Sequence, residues 1–199
     1  MKKIETIWHY LLVQALDEKK FRHTQQELAK NFSYSLSTVN HAVNIPSRIG
    51  ALRKESKSFT LSDFDKLLYF WASMRNLEKD FIYRTYFDAP VAEIEGLALP
   101  GSVYACYSAA RRLLKDAPAD YAKVYFYIKT ADLPQLISRF PNNQKSEANL
   151  FVLKMPSGLE KYGLVTTLPL TFVDIWNLAD WYGKDFTQSL EERIHELLS

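Results

Sequence analysis

The fold is decided by residues 24–61, which read TQQELAKNFSYSLSTVNHAVNIPSRIGALRKESKSFTL. The first four residues form a capping box, a pattern in which a hydroxyl and a carboxylate each bond a free amide at the start of a helix. Apolar residues at helical spacing follow, so we predict a helix over 25–32. A second helix is predicted over 36–48, with Ser35 as its N-cap, because serine oxygens accept hydrogen bonds from free helix amides.

The second predicted helix has one apolar side and one polar side. Leu36, Val39 and Val43 share the apolar side. Small hydroxyl and amide groups on the other side suit hydrogen bonds to base edges and phosphates, and an outward Asn40 amide is able to pair bidentately with adenine. The candidate base-contacting residues are Ser37, Thr38, Asn40, His41 and Asn44.

A basic hairpin is predicted after these helices. Residues 50–61 read as strand, polar turn and strand, which is typical of a small two-stranded hairpin. The candidate phosphate-contacting residues are Arg48, Arg53, Lys54 and Lys57. Helix, helix and basic hairpin in this order indicate a winged helix-turn-helix, a fold that lays its second helix in the DNA major groove. The alternative interpretation is an ordinary corner of a globular protein, since capping boxes are common.

The charge distribution favours a nucleic-acid partner for the N-terminal part. The chain of 199 residues carries a net charge of only +2. Residues 1–75 hold 12 Lys and Arg against 7 Asp and Glu, whereas residues 76–199 hold 13 against 16. The basic excess therefore coincides with the predicted helix-turn-helix, as expected of a segment that binds phosphates.

Cysteine content and the lengths of apolar runs favour a cytoplasmic protein. With one cysteine, Cys106, the chain forms no internal disulfide, which suits a reducing compartment. The N-terminal apolar residues keep helical spacing over 3–17 and are interrupted by polar ones, so they predict an amphipathic core helix rather than a signal peptide. No apolar run approaches the length needed to span a bilayer.

Two domains are expected, and the second is α/β. Residues 1–79 comprise the helix-turn-helix and a linker helix with an apolar stripe from Phe64 to Trp71. Residues 80–199 alternate short apolar strands with helices, which predicts a mixed sheet with flanking helices. Strands are predicted at 81–87, 103–107, 124–128 and 150–153, with an edge strand at 164–168. Helices are predicted at 90–97, 108–115, 132–140 and from about 186, and a mobile loop at 142–146.

The second domain carries one feature of an enzyme fold. Gly101-Ser102 stands before a strand, as in the nucleotidyltransferase fold, whose later strand carries paired carboxylates that bind metal ions. Here residues 123–128 read KVYFYI, so we predict no transferase activity. The four histidines form no ligand-spaced pair with one another or with the cysteine, and no Walker loop or dinucleotide fingerprint occurs. We therefore predict no catalytic residues, no metal site and no cofactor.

A family resemblance extends along the chain. The residues that carry it are Leu36–Val43 (LSTVNHAV), Ile49–Leu52 (IGAL), Tyr69–Ala72 (YFWA), Arg75–Leu77 (RNL) and Leu170–Leu178 (LTFVDIWNL). In these segments the chain resembles winged-helix proteins with a degenerate nucleotidyltransferase-like second domain, the organisation of AbiEi-type antitoxins and related prokaryotic transcriptional regulators. The resemblance implies DNA binding by the first domain, a binding role for the second, and a cognate toxin protein as partner.

Three functions stay open at this point. The first is a regulator that binds double-stranded DNA, in the antitoxin case as an autorepressor. The second is a divergent nucleotidyltransferase that holds nucleic acid with its helix-turn-helix, and the third is a protein-interaction module. For the first we expect a homodimer, because one winged helix buries limited surface on DNA. Its interface would be the Phe64–Trp71 stripe, or the C-terminal helix with Leu190, Ile194 and Leu197.

Overall fold

The protein, seen in a computed structural model that describes residues 1–144 and 146–199, has a mixed α/β fold. Over these residues it contains nine α-helices, a three-stranded antiparallel sheet and a four-stranded mixed sheet. The helices are α1 (Lys3–Asp17), α2 (Gln25–Phe32), α3 (Leu36–Arg48), α4 (Phe64–Met74), α5 (Val91–Gly96), α6 (Cys106–Leu114), α7 (Leu133–Arg139), α8 (Leu168–Trp176) and α9 (Gly183–Leu198). The strands are β1 (Arg22–His23), β2 (Leu52–Lys54), β3 (Phe59–Leu61), β4 (Phe81–Thr85), β5 (Val103–Ala105), β6 (Val124–Ile128) and β7 (Leu150–Lys154).

The chain forms two compact units. One comprises Met1–Arg75 with Ile194–Ser199, and the other comprises Asn76–Arg193. None of the described helices has both the length and the apolar composition that crossing a bilayer requires. The loop predicted at 142–146 includes Lys145, which lies outside the described residues.

The helices predicted for the first unit are confirmed. α1, α2 and α3 have the predicted bounds, and Thr24 and Ser35 cap α2 and α3. The cap oxygens accept hydrogen bonds from the backbone amides of Glu27 (3.1 Å) and Thr38 (3.2 Å). The hairpin is present as β2 and β3, but the sequence pattern missed β1, which pairs antiparallel with β3 to give the order β1-β3-β2.

A hydrogen bond at a proline ties α3 to α1. Pro46 lies inside α3 and lacks the amide hydrogen that would bond the carbonyl of Ala42, four residues earlier. The fully buried Trp8 of α1 donates its indole N–H to that carbonyl, with a donor–acceptor distance of 2.8 Å. One side chain therefore satisfies a buried acceptor and also holds α3 against α1.

A buried ion pair ties α1 to the end of α4. Glu5 and Arg75 are 2% and 4% exposed, and a guanidinium nitrogen of Arg75 lies 3.5 Å from Glu5 Oε2. The indole N–H of Trp71 donates to the same oxygen at 3.2 Å, and the backbone N–H of Lys2 donates to Glu5 Oε1 at 3.1 Å. Because several donors surround the carboxylate, its charge is compensated although water is excluded.

The apolar stripes predicted to form a dimer interface are covered within the single chain. Phe64, Leu67, Leu68 and Trp71 are at most 8% exposed, as part of the core that α1 shares with α4. Leu190 and Ile194 of α9 are fully buried, and Leu197 is half-buried. The assignment of either stripe as a dimer surface is therefore wrong, because its apolar atoms already have intramolecular contacts.

The second unit is built on a four-stranded sheet with the order β4-β7-β6-β5. β6 and β7 are parallel, whereas β4 pairs with β7 and β5 pairs with β6 in the antiparallel sense. All five residues of β6 are buried, as is typical of a strand covered on both faces. On one face, Val124, Phe126 and Val152 join a core that includes Ile94 of α5 and Leu136 of α7.

Two predictions for this unit are wrong at the sheet margin. Residues 164–168 form one isolated bridge at Val165 instead of an edge strand, because Thr167 caps α8 and the helix begins at the next residue. Cys106 does not extend β5. It is the first residue of α6, where it is buried and has a left-handed φ of 46°.

Trp8→Phe should cost more stability when Pro46 is present than when it is replaced. The substitution leaves the Ala42 carbonyl buried without a donor, which costs about 1–3 kcal/mol in addition to lost packing. In a Pro46→Ala background the restored backbone amide at position 46 bonds that carbonyl. The same substitution should then cost at least about 1 kcal/mol less. Urea unfolding of the four proteins measures the difference.

Trp71→Phe is the matched control for this cycle, since the Trp71 indole donates to Glu5 and not to a helix carbonyl. Trp71→Phe should lower the free energy of unfolding by the same amount in the wild-type background and in the Pro46→Ala background. Equal costs of Trp8→Phe in the two backgrounds would show that the proline does not create the acceptor that Trp8 serves.

Candidate nucleic-acid interface

α3 turns a polar face outward. Its buried side consists of Val39, Ala42, Val43 and Pro46. On the other side Ser37, Asn40 and His41 are exposed, Asn44 is half-buried, and Arg48 is exposed at the last residue of the helix. Residues three and four apart lie on one face of a helix. The structure therefore brings these five predicted residues together on one surface.

Thr38 has a different position from the other predicted residues of α3. It is half-buried, and its hydroxyl lies 2.9 Å from Ser35 Oγ, the atom that also accepts the Thr38 backbone amide. The hydroxyl thus takes part in the cap of α3 rather than standing on the outward face.

Lys54 of β2 connects the hairpin to this face. Its ammonium group donates a hydrogen bond to Asn44 Oδ1 and lies 3.5 Å from Asn40 Oδ1. Gln25, at the start of α2, donates its side-chain amide to Asn40 Oδ1 at 3.4 Å. Sequence reasoning missed Gln25, because its relation to α3 depends on how α2 and α3 pack.

Arg53 and Lys54 lie on opposite faces of the small sheet, since successive side chains of a strand alternate. Lys54 is paired in register with the buried Phe59, on the face that carries the contact with α3. Arg53 is exposed on the other face, opposite Thr60. The four predicted phosphate-contacting cations therefore do not form one cluster.

The turn of the hairpin holds a cation and an anion in fixed positions. Arg22 of β1 lies 2.8 Å from Glu55 Oε2, and Ser58 donates its hydroxyl to the same oxygen at 2.7 Å. The Ser58 hydrogen bond and the Arg22 and Arg53 charges lower the pKa of Glu55. Glu55 thus stays ionised and offsets part of the positive charge there, while Lys57 is exposed at the turn.

In the second unit, each basic side chain of the Arg111-Arg112 pair faces a buried carboxylate. Glu95 is 3% exposed, and its Oε2 lies 3.0 Å from Arg112 and 3.6 Å from Arg111. Tyr121 donates its hydroxyl to Glu95 Oε1 at 2.7 Å. The pair is therefore engaged in the structure of the second unit.

Asp174 and Asp180 of the second unit also have protein partners. Asp174 is fully buried and accepts a hydrogen bond from Tyr127 at 2.6 Å. Asp180 accepts from Lys123 at 2.7 Å and from Tyr107 at 3.1 Å, and burial together with the Asp180 charge raises the pKa of Tyr107. Within residues 1–144 and 146–199, no three His, Cys, Asp or Glu side chains are grouped so that they could hold a metal ion.

Comparison of the chain with protein-family models, with curated proteins and with solved structures finds no match. The geometry of α3 and the hairpin is therefore the basis of the functional proposal.

His23 supports the sheet that positions Lys54. It is 1% exposed in β1, and its Nε2 lies 3.2 Å from the Lys20 carbonyl, which is able only to accept, so Nε2 carries the hydrogen. Nδ1 is buried with no hydrogen-bond partner among the described residues. Burial lowers the pKa of His23. The folded protein therefore keeps this imidazole neutral at pH values where an unfolded chain would protonate it.

Stability should decline as pH falls below the ordinary histidine pKa of about 6.5. Below that value the unfolded chain binds a proton that folded His23 does not bind, until the pH reaches the lowered pKa. The slope contributed by this group should be at most about 1.4 kcal/mol per pH unit. His23→Gln, which keeps a donor for the Lys20 carbonyl, should remove this component. Unfolding midpoints measured from pH 8 to pH 5 test it, and a variant profile parallel to that of the wild type would contradict it.

Proposed function

We propose that the chain is a DNA-binding transcriptional regulator whose residues 1–79 act as a winged helix-turn-helix domain with a linker helix. In this proposal α3 enters the major groove of double-stranded DNA, and the β2–β3 hairpin is the wing. The order of α2, α3 and hairpin, the polar outward face of α3 and the basic excess of residues 1–75 support it.

The observation that carries the proposal is the contact of Lys54 with Asn44 and Asn40. A cation from the hairpin and two amides from α3 converge, so helix and hairpin present one continuous surface of hydrogen-bond donors and positive charge. Donors and positive charge are what phosphates and base acceptor atoms bind.

For residues 80–199 we propose an inactive, nucleotidyltransferase-like domain with a binding role. The residues of β6 are uncharged, and Asp174 and Asp180 are held by tyrosine and lysine partners, so paired free carboxylates are not available for metal-dependent transfer. Contact with a cognate toxin, as in an antitoxin that represses its own operon, is part of this proposal. A homodimer stays a prediction and requires a surface other than the two covered stripes.

Binding to duplex DNA should weaken steeply as salt concentration rises. Arg48, Lys54 and Lys57 would displace counterions condensed on the phosphates, whereas Arg53 lies on the other face of the small sheet. The slope of log affinity against log salt should therefore be about −3 per bound subunit. Fluorescence anisotropy with a mixed-sequence duplex over a salt series measures it. A slope near zero would contradict DNA binding.

Substitutions on α3 and on the hairpin should have different consequences. Lys57→Ala removes a phosphate contact, so it should weaken binding to every sequence equally and reduce the salt slope by about 1. Asn40→Ala should instead reduce the preference for the selected sequence, because base-edge contacts carry about 1–3 kcal/mol of discrimination. Affinities for a selected and a scrambled duplex distinguish the two. An equal loss on both duplexes for Asn40→Ala would contradict a base-reading role.

A further inference from the structure

We infer that the amide oxygen of Asn40 is already engaged by donors from the hairpin and from α2, so that the preferred DNA carries guanine rather than adenine at the base pair that Asn40 contacts. The inference rests on the proposed function and specifies its ligand. It concerns the cluster formed by Lys54, Asn40, Asn44 and Gln25.

The orientation of both asparagine amides follows from the chemistry of lysine. An ammonium group only donates hydrogen bonds, so the amide atom that faces it is the oxygen. Lys54 donates to Asn44 Oδ1 and lies 3.5 Å from Asn40 Oδ1. In each amide the nitrogen is therefore turned away from the ammonium group.

Asn40 is more constrained than Asn44. An amide oxygen accepts about two hydrogen bonds, one per lone pair. Asn40 Oδ1 receives Lys54 from the hairpin and Gln25, at 3.4 Å, from α2. Among the described residues no acceptor engages the amide nitrogen of Asn40 or Asn44. The amide nitrogen of Asn40 and the remaining hydrogens of the Lys54 ammonium group are thus the groups offered beside Asn40.

The donor pattern selects between the purines. A bidentate asparagine–adenine pair needs the amide oxygen to accept from N6 and the amide nitrogen to donate to N7. Guanine presents two acceptors, N7 and O6, and is the usual partner of lysine and arginine in the major groove. At Asn40 the available groups are the amide nitrogen and the neighbouring Lys54 ammonium group, which are donors complementary to guanine, and Asn40 Oδ1 is not open to accept from adenine N6. This reverses the adenine pairing expected for an isolated Asn40.

Two hairpin variants test the inference. Lys54→Met removes one positive charge and frees one lone pair on each asparagine oxygen, although Gln25 still donates to Asn40. Lys57→Met removes one positive charge at the turn and leaves the contacts of both asparagines in place. Selection of bound duplexes from a random pool, followed by competition between duplexes with guanine and adenine at each selected purine, gives the preference of each protein. Circular dichroism and unfolding midpoints establish that both variants fold.

The wild type should prefer guanine at one or more contacted positions by roughly 5- to 150-fold, the range expected of one good bidentate contact. Lys54→Met should lower that ratio by at least about fivefold, because the released oxygens then accept from adenine N6. Lys57→Met should keep the ratio. Both variants should lose affinity for scrambled duplex to a similar extent, since each loses one charge.

The outcomes separate the inference from the proposed function. A wild type with no salt-sensitive binding to duplex DNA overturns both. Salt-sensitive and sequence-selective binding with adenine at the contacted positions overturns the inference alone. Equal base preferences of Lys54→Met and Lys57→Met would also overturn the inference alone, because they would mean that Lys54 contacts only phosphates.

Discussion

The hydrogen bond from the Trp8 indole to the Ala42 carbonyl determines where α3 lies, and the candidate interface depends on α3. Pro46 makes this carbonyl available, and burial protects the bond from competition with water. Ala42 directly follows His41, so this hydrogen bond holds α3 at the same helical turn as its exposed polar residues. A proline that would otherwise weaken a helix here leaves a carbonyl through which α1 holds α3.

Sequence reasoning predicted the elements whose signals are local. α2 and α3 have cap residues, Thr24 and Ser35, next to apolar positions at helical spacing, and their bounds were predictable to the residue. β1 has two residues, too few to show an alternation. α8 was missed because residues 169–175 are all buried, so that its sequence lacks the polar side that identifies an amphipathic helix. Cys106 was predicted to lie in a strand because it continues an apolar run. Its φ of 46° is imposed by the β5–α6 junction, since a cysteine by itself does not favour a left-handed backbone.

The candidate site was predictable as a set of residues but not as a geometry. The polar face of α3 follows from spacing within one helix, and its exposed members were predicted. The contact of Lys54 with the asparagines depends on the pairing of Lys54 with Phe59, which decides the side of the sheet that each hairpin cation occupies. A change of register by one residue would exchange the positions of Arg53 and Lys54. The register of the hairpin and its packing against α3 are set by contacts between elements, which the spacing of residues within one element does not show.

The contact between Lys54 and Asn44 also has an entropic consequence. A surface lysine samples many rotamers, and restricting them costs up to about 2 kcal/mol. Here the folded chain already holds the ammonium group against α3, so the ordering belongs to folding and not to association. Any ligand of this face therefore meets a preorganised surface, and its complex avoids one of the usual entropic costs of binding. Recognition would then resemble a lock and key more than an induced fit.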